Sequence, residues 1–138
     1  MKRVLFDSDI LLDVPAKRQP FFVDSTNALD TLVQVQMQGY VSVHAVTNIF
    51  YILRRQIGNQ EARKLLSLLL ERIQVASVTD QVIKSALQSS IPDFEDAVTS
   101  EVAQAIDLEI IVTRNISDFK NSSIPAMLPQ AFLESLDD

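Results

Sequence analysis

Short apolar runs alternate with longer stretches of helical periodicity along this chain, and that alternation most restricts what it can fold into. "RVLF", "YVSV", "IQVASV" and "EIIVT" read as short strands, the first of them a buried one. Between them, "AVTNIFYILRRQIG" sets Val46, Ile49, Phe50, Leu53 and Ile57 on one helical stripe, leaves Asn48 off it, and stops at Gly58. "FFVDSTNALDTLVQVQMQGY" predicts a helix closed by Gly39, "NQEARKLLSLLLER" a helix capped by Asn59, and "TDQVIKSALQSS" a helix running up to Pro92. "DFEDAVTSEVAQAID" aligns Phe94, Ala97, Val98, Val102, Ala105 and Ile106, which leaves Asp96 almost opposite the apolar face. A brief fifth strand is expected at Ile124, and a last helix from Pro129, where proline suits a first turn. Strands separated by helices imply a three-layer α/β/α fold: a central, mainly parallel, twisted sheet of about four to five short strands covered on both faces.

Composition narrows the chemistry. A chain of 138 residues that is 47% hydrophobic can bury a core of its own, so a single domain over residues 1–138 is expected. There is no cysteine and His44 is the only histidine, which excludes thiolate and multi-histidine metal sites; any ion must be held by oxygen. His44, with no partner visible in the sequence, reads as structural or exposed. The few apolar residues before Asp7 are too short for a signal peptide, and no segment approaches the ~18 apolar residues of a membrane span, so the cytoplasm is expected. A net charge of −6 argues against broad attraction to nucleic acid without excluding a local basic strip.

The first strand ends in "FDSDILLD", bringing Asp7, Asp9 and Asp13 close together. Such a cluster is either turn and cap chemistry or part of a cation site assembled from distant segments. Ligands of open parallel sheets bind beyond the carboxyl ends of the strands, where Asp7 and the "TRNISD" segment with Thr113, Asn115 and Asp118 both lie. Asp96 could join them from a helix start. Equally, Asp93 and Asp96 have the spacing of a capping box, which needs no ligand.

Taken in order, these segments resemble the PIN-domain nucleases, which include the toxins of many bacterial toxin–antitoxin pairs. "VLFDSDILLD", "VSVHAVTNIFYILRR", "IPDFEDAV" and "IIVTRNISDF" are similar to the family's four motif segments, over about Lys2 to Pro125. The resemblance implies a PIN-like fold and hydrolysis of RNA phosphodiesters with Mg²⁺ or Mn²⁺ held by Asp7, Asp96 and Asp118. It gives Asn48 and Asn115 assisting roles and makes Thr113, or Ser8, an orienting hydroxyl. It further implies an antitoxin filling the cleft, and dimerisation as is common in the family. Arg54, Arg55 and Arg114 are candidates for phosphate contacts, against the alternative that they are solvated. Three positions depart from the pattern: Asn48 stands where an acid, usually Glu, is expected, Asn115 where many members have Asp, and Asp9 where Asn is usual. The amides add no charge, so metal affinity weaker than in four-acid relatives is expected.

Two rival readings follow from the same residues. "FDSD" is similar to the opening motif of haloacid-dehalogenase-like phosphohydrolases, with Asp7 as nucleophile and Asp9 as acid/base, but the later acidic motif of that family is missing. A PIN-fold binding module that has lost catalysis is the other, supported by Asn48 and Asn115.

Overall fold

Val4, Leu5 and Phe6 are all buried, as a strand without polar alternation requires. They belong to β1 (Lys2–Phe6), the central strand of the sheet. The computed structural model describes residues 2–14, 17, 19–34 and 37–136, with the side chains of residues 22 and 32–34 left aside. β2 (Met37–Ser42), β3 (Gln74–Ala76), β4 (Ile110–Val112) and β5 (Ala126–Met127) complete one sheet in the order β3-β2-β1-β4-β5, with every pairing parallel. The helices are α1 (Ser8–Asp13), α2 (Phe22–Gln34), α3 (Val43–Ile57), α4 (Asn59–Leu70), α5 (Asp80–Leu87), α6 (Phe94–Ala105) and α7 (Pro129–Ser135).

Strand alternation divides the core into two halves. Val4, Phe6, Val41, Ile110 and Val112 face one side, where Ile10 and Leu11 of α1, Ile49 and Leu53 of α3 and Phe132 of α7 cover them. Leu5, Tyr40 and Ile111 face the other, against Val82 and Ala86 of α5 and Val98 and Val102 of α6. The expected three-layer arrangement therefore forms, with a parallel sheet between two helical layers.

Several local expectations change. Gly39 does not close a helix: it lies inside β2, in register with Val4, because the residues around it gain a full ladder with the central strand. Val35 and Gln36, expected in that helix, lie outside the described residues. Gly58, at φ 85°, is at once the last cap of α3 and the first of α4, so Asn59 opens the helix and its Oδ1 accepts from Arg63 Nε at 2.8 Å. The fifth strand forms at Ala126–Met127, opposite Ile111 and Val112, and Ile124 instead binds its backbone N–H to Ser122 Oγ. On α6 the buried arc runs through Ala97, Val98, Thr99, Ser100, Val102 and Ala103, while Phe94 and Ala105 are exposed. Small side chains at 100 and 103 let the helix sit close, and Ser100 Oγ is 2.6 Å from Ser122 Oγ.

The chain leaves β1, builds outward through β2 and β3, and then returns to the opposite side of β1 as β4 and β5. Strand order thus reverses between β1 and β4, and the crevice beyond their carboxyl ends is where an open α/β sheet accepts a ligand.

Candidate active site

Asp7 stands at that crevice. Its backbone N–H continues the ladder by donating to Val112 O at 2.9 Å, which fixes the residue before its side chain finds any partner. The side chain then caps α1: Oδ1 accepts from Ser8 N at 2.9 Å. Oδ2 accepts from the Thr113 hydroxyl, also at 2.9 Å, so the first residue after β4 holds the first residue after β1. Burial pushes the Asp7 carboxyl above its ordinary value; the bonds from Thr113 and Ser8 oppose this, and Asp118 and Glu95 reinforce it.

Asp9, in the first turn of α1, is bound by the same loop. Its Oδ2 accepts from Arg114 N at 3.1 Å and Asn115 Nδ2 at 3.1 Å, with the Thr113 hydroxyl at 3.4 Å. Its Oδ1 is buried without a partner. Burial, then the nearby Asp7 charge, pushes this carboxyl up to about 6.

Asp96 enters from α6. Asp93 caps that helix, its Oδ1 accepting from Asp96 N at 3.0 Å, as the capping reading expects. The reciprocal half of a capping box does not form, and the Asp96 carboxylate lines the cleft instead. Burial, followed by the charges of Asp93, Asp7, Asp118 and Glu95, raises it to about 7.

These side chains share one polar cleft of about 140 Å³, lined by Asp7, Ser8, Asp9, Asn48, Asp96 and Asn115, with His44, Glu95 and Thr99 on its wall. Thr113 is fully buried beneath it. Asp118 is exposed on the 3₁₀ turn Ile116–Phe119; it does not line the cleft but is near enough to act on both Asp7 and Asp96. Arg54 and Arg55 are exposed in the last turn of α3, with the Arg54 guanidinium 5.6 Å from the centre of the Tyr51 ring. Arg114 turns away from the cleft: its Nε is 3.0 Å from Asp13 Oδ2 and its guanidinium carbon 3.9 Å from the centre of the Phe21 ring. Arg114 therefore packs against Asp13 and Phe21 and does not line the cleft.

Sequence reasoning did not assign Glu95 or His44 to the site. His44 Nε2 is 3.4 Å from the Thr99 hydroxyl and Nδ1 is buried without a partner; burial lowers its pKa, only partly offset by Glu95. Its place could have been read from the spacing, since His44 and Asn48 are one helical turn apart on the same face of α3.

The donor set is all oxygen and mostly anionic, which suits a hard divalent cation. Among the described residues, however, no three acids or histidines are gathered tightly enough to enclose an ion. Asp7 and Asp96, with the amide oxygens of Asn48 and Asn115, therefore fit an ion that keeps several of its waters, as Mg²⁺ does.

A family model described as "PIN domain" matches residues 3–117, most of the chain and all the segments that build the cleft. The chain belongs to the PIN-domain family. Solved structures agree on the fold. The PIN chain resembles VapBC2 from Rickettsia felis, bound to a promoter DNA fragment, with a TM-score of 0.73 at 15% identity, over 91% of this chain and 98% of that one. It resembles a toxin–antitoxin complex from Klebsiella pneumoniae with a TM-score of 0.70 at 23% identity, over 91% and 97%. A third likeness is to VapC20 from Mycobacterium tuberculosis, described as a toxin that cleaves the sarcin-ricin loop, with a TM-score of 0.64 at 13% identity over 78% and 86%. A comparison with curated proteins returns no match. PIN membership leaves no place for the dehalogenase reading. Membership of the PIN-domain family implies nuclease chemistry at family level, and PIN nucleases generally use divalent metals. No described helix is long and apolar enough to cross a membrane.

Proposed function

We propose that this PIN domain, as a single unit, is a divalent-metal-dependent ribonuclease that hydrolyses RNA phosphodiester bonds, acting in the cytoplasm as the toxin of a toxin–antitoxin pair. The observation that carries the reading is the meeting of Asp7 and Asp96 across one polar cleft at the strand-order switch, each carboxyl raised by burial and by neighbouring acids. Such a cleft is electrostatically incomplete without a cation. Mg²⁺ or Mn²⁺, when bound, supplies charge neutralisation for the phosphodiester and activation of water. Asp7 and Asp96 would hold the ion, Asp118 would act on it from the rim, and Thr113 orients Asp7. Asn48 and Asn115 accept hydrogen bonds from water through their amide oxygens.

RNA would approach along α3. The face carrying His44 and Asn48 in the cleft continues to Arg55, two turns on and roughly 10 Å away, where exposed arginines can meet the phosphate backbone. The relatives in toxin–antitoxin complexes support a small antitoxin as the natural inhibitor.

The test is cleavage of a single-stranded RNA oligonucleotide with and without Mn²⁺. Metal-dependent cleavage that is lost in Asp7→Asn supports the nuclease. A second reading, a PIN-fold binding module, draws on the lack of a three-acid cluster among the described residues. It predicts RNA binding without cleavage at any metal concentration, and equal binding by Asp7→Asn.

A further inference from the structure

Asp13 is fully buried, and no step of the proposed reaction needs it. A carboxylate in that position is costly unless it is paired and hydrogen-bonded, and an apolar contact would join the same elements with less desolvation. What an ion pair adds over an apolar contact is direction. We propose that Asp13 and Arg114 form a positioning device that holds the loop after β4 against α1 and thereby sets the orientation of the Asp7 and Asp9 carboxylates. This rests on reading the cleft as a metal-dependent nuclease site.

Asp9 and Asp13 are four residues apart on α1 and so share a face. Arg114 meets that face twice: its backbone N–H donates to Asp9 Oδ2 at 3.1 Å, and its guanidinium Nε lies 3.0 Å from Asp13 Oδ2 as an ion pair, without an aligned hydrogen bond at Nε. The guanidinium plane is fixed further by the Phe21 ring, and Asp13 is itself steadied by the Ser25 hydroxyl, which donates to Oδ2 at 2.8 Å. A planar cation held by a carboxylate and an aromatic ring has little rotational freedom. Its neighbours in the chain inherit that restraint. Thr113 on one side donates to Asp7, and Asn115 on the other donates to Asp9, while Asn115 N binds back to Thr113 Oγ1 at 3.1 Å. Every side-chain bond that orients Asp7 and Asp9 across the β1–β4 crevice thus comes from the three residues that the ion pair pins.

The test uses Asp13→Asn/Arg114→Met, which removes both charges together and leaves no unpaired buried ion, with Arg114→Lys as a second variant that keeps the charge and loses the planar fork. Two readouts are taken at temperatures where all proteins are folded. Amide hydrogen exchange should show Arg114 and Asn115 losing protection in the double variant while the β1 and β4 amides keep theirs. Mn²⁺ titration should show affinity about 10–100-fold weaker, the usual loss when a residue that orients a ligand is removed. With RNA, kcat should fall and KM should hold; Arg114→Lys should lie between the wild type and the double variant in every readout. Unchanged exchange at Arg114 and Asn115, or unchanged Mn²⁺ affinity beside a wild type that binds the ion, overturns the proposal. So does a rise in KM with a smaller salt dependence of RNA binding, which would make Arg114 a phosphate contact. If the wild type binds no Mn²⁺, the nuclease reading falls, and the exchange data still decide whether the pair positions the loop.

Discussion

Asn115 donates its side-chain amide to Oδ2 of Asp9 at 3.1 Å, so the acid of this pair sits on α1 and the amide on the loop after β4. The bond can be written in either direction. Asn115→Asp alone would set two carboxylates against each other, one of them already resisting ionisation, and should cost the metal-free protein about 1.5 kcal/mol. Asp9→Asn alone relieves repulsion with Asp7 and should leave metal-free stability level or higher. The exchange Asp9→Asn/Asn115→Asp restores the bond with reversed polarity and should recover most of the loss. Thermal melts in EDTA decide it: an exchange variant no more stable than Asn115→Asp would show that the two side chains do not act as a pair.

The raised carboxyls fix the sign of a pH effect. Asp96 titrates near 3.8 when unfolded and at about 7 in the fold, so between those values the folded state binds more protons. Its contribution to metal-free stability is full below pH 4 and is lost as pH rises toward 7. Stabilisation by Mn²⁺ should run the other way, growing over the same interval as the competing proton leaves. Melting curves at a series of pH values, with EDTA and with Mn²⁺, should therefore converge at low pH and separate toward neutrality. In Asp96→Asn the EDTA curve should flatten; an unchanged slope would place the titrating group elsewhere.

The fold was legible because Val4–Phe6 of β1 and Ile110–Val112 of β4 are apolar runs that are buried, and the main helices carry clear stripes. α1 was not, since "SDILLD" offers one turn and a half, Ile10, Leu11 and Leu12 are all buried, and its acids look like turn residues. Gly39 misled for a physical reason: glycine marks helix ends through its backbone freedom, but an extended strand accepts it too, and only pairing with Val4 decides between them. In the cleft, Asp7, Asp96, Asn48 and Asn115 could be brought together on paper because strand ends and helix starts converge at a sheet switch. The inward turn of Arg114 could not. It depends on Asp13 and Phe21, whose positions follow from the unforeseen α1 and the segment after it.

Arg55 offers a test of the RNA path. It is exposed, unlike Arg114, and follows Asn48 by two helical turns along one face. Arg55→Ala should leave folding and Mn²⁺ affinity unchanged and weaken RNA binding. If it meets one phosphate, the slope of log affinity against log salt should become shallower by about 0.7. An unaltered slope would remove Arg55 from the path and leave its charge as ordinary solvated surface.

Asn48→Glu asks whether the site is limited by its charge. Asn48 is half-buried, one turn after His44, and lines the same cleft as Asp7 and Asp96. A carboxylate there would join acids that already resist ionisation, so the metal-free variant should melt lower than wild type, and increasingly so as pH rises and Asp96 ionises. With Mn²⁺ the order should invert, because a further anionic oxygen strengthens attraction for the ion and binding to the native state alone adds stability. The mutation carries little packing cost, since α3 buries Ala45, Ile49 and Leu53 and Asn48 lies off that stripe. The measurement is the Mn²⁺ dissociation constant of both proteins at one ionic strength, alongside melts in EDTA. Tighter binding with a lower metal-free melting temperature would show that Asn48 faces the cation. Equal affinities would show that the second motif of this PIN domain contributes no ligand, and that the ion is held from β1, α6 and the loop after β4 alone.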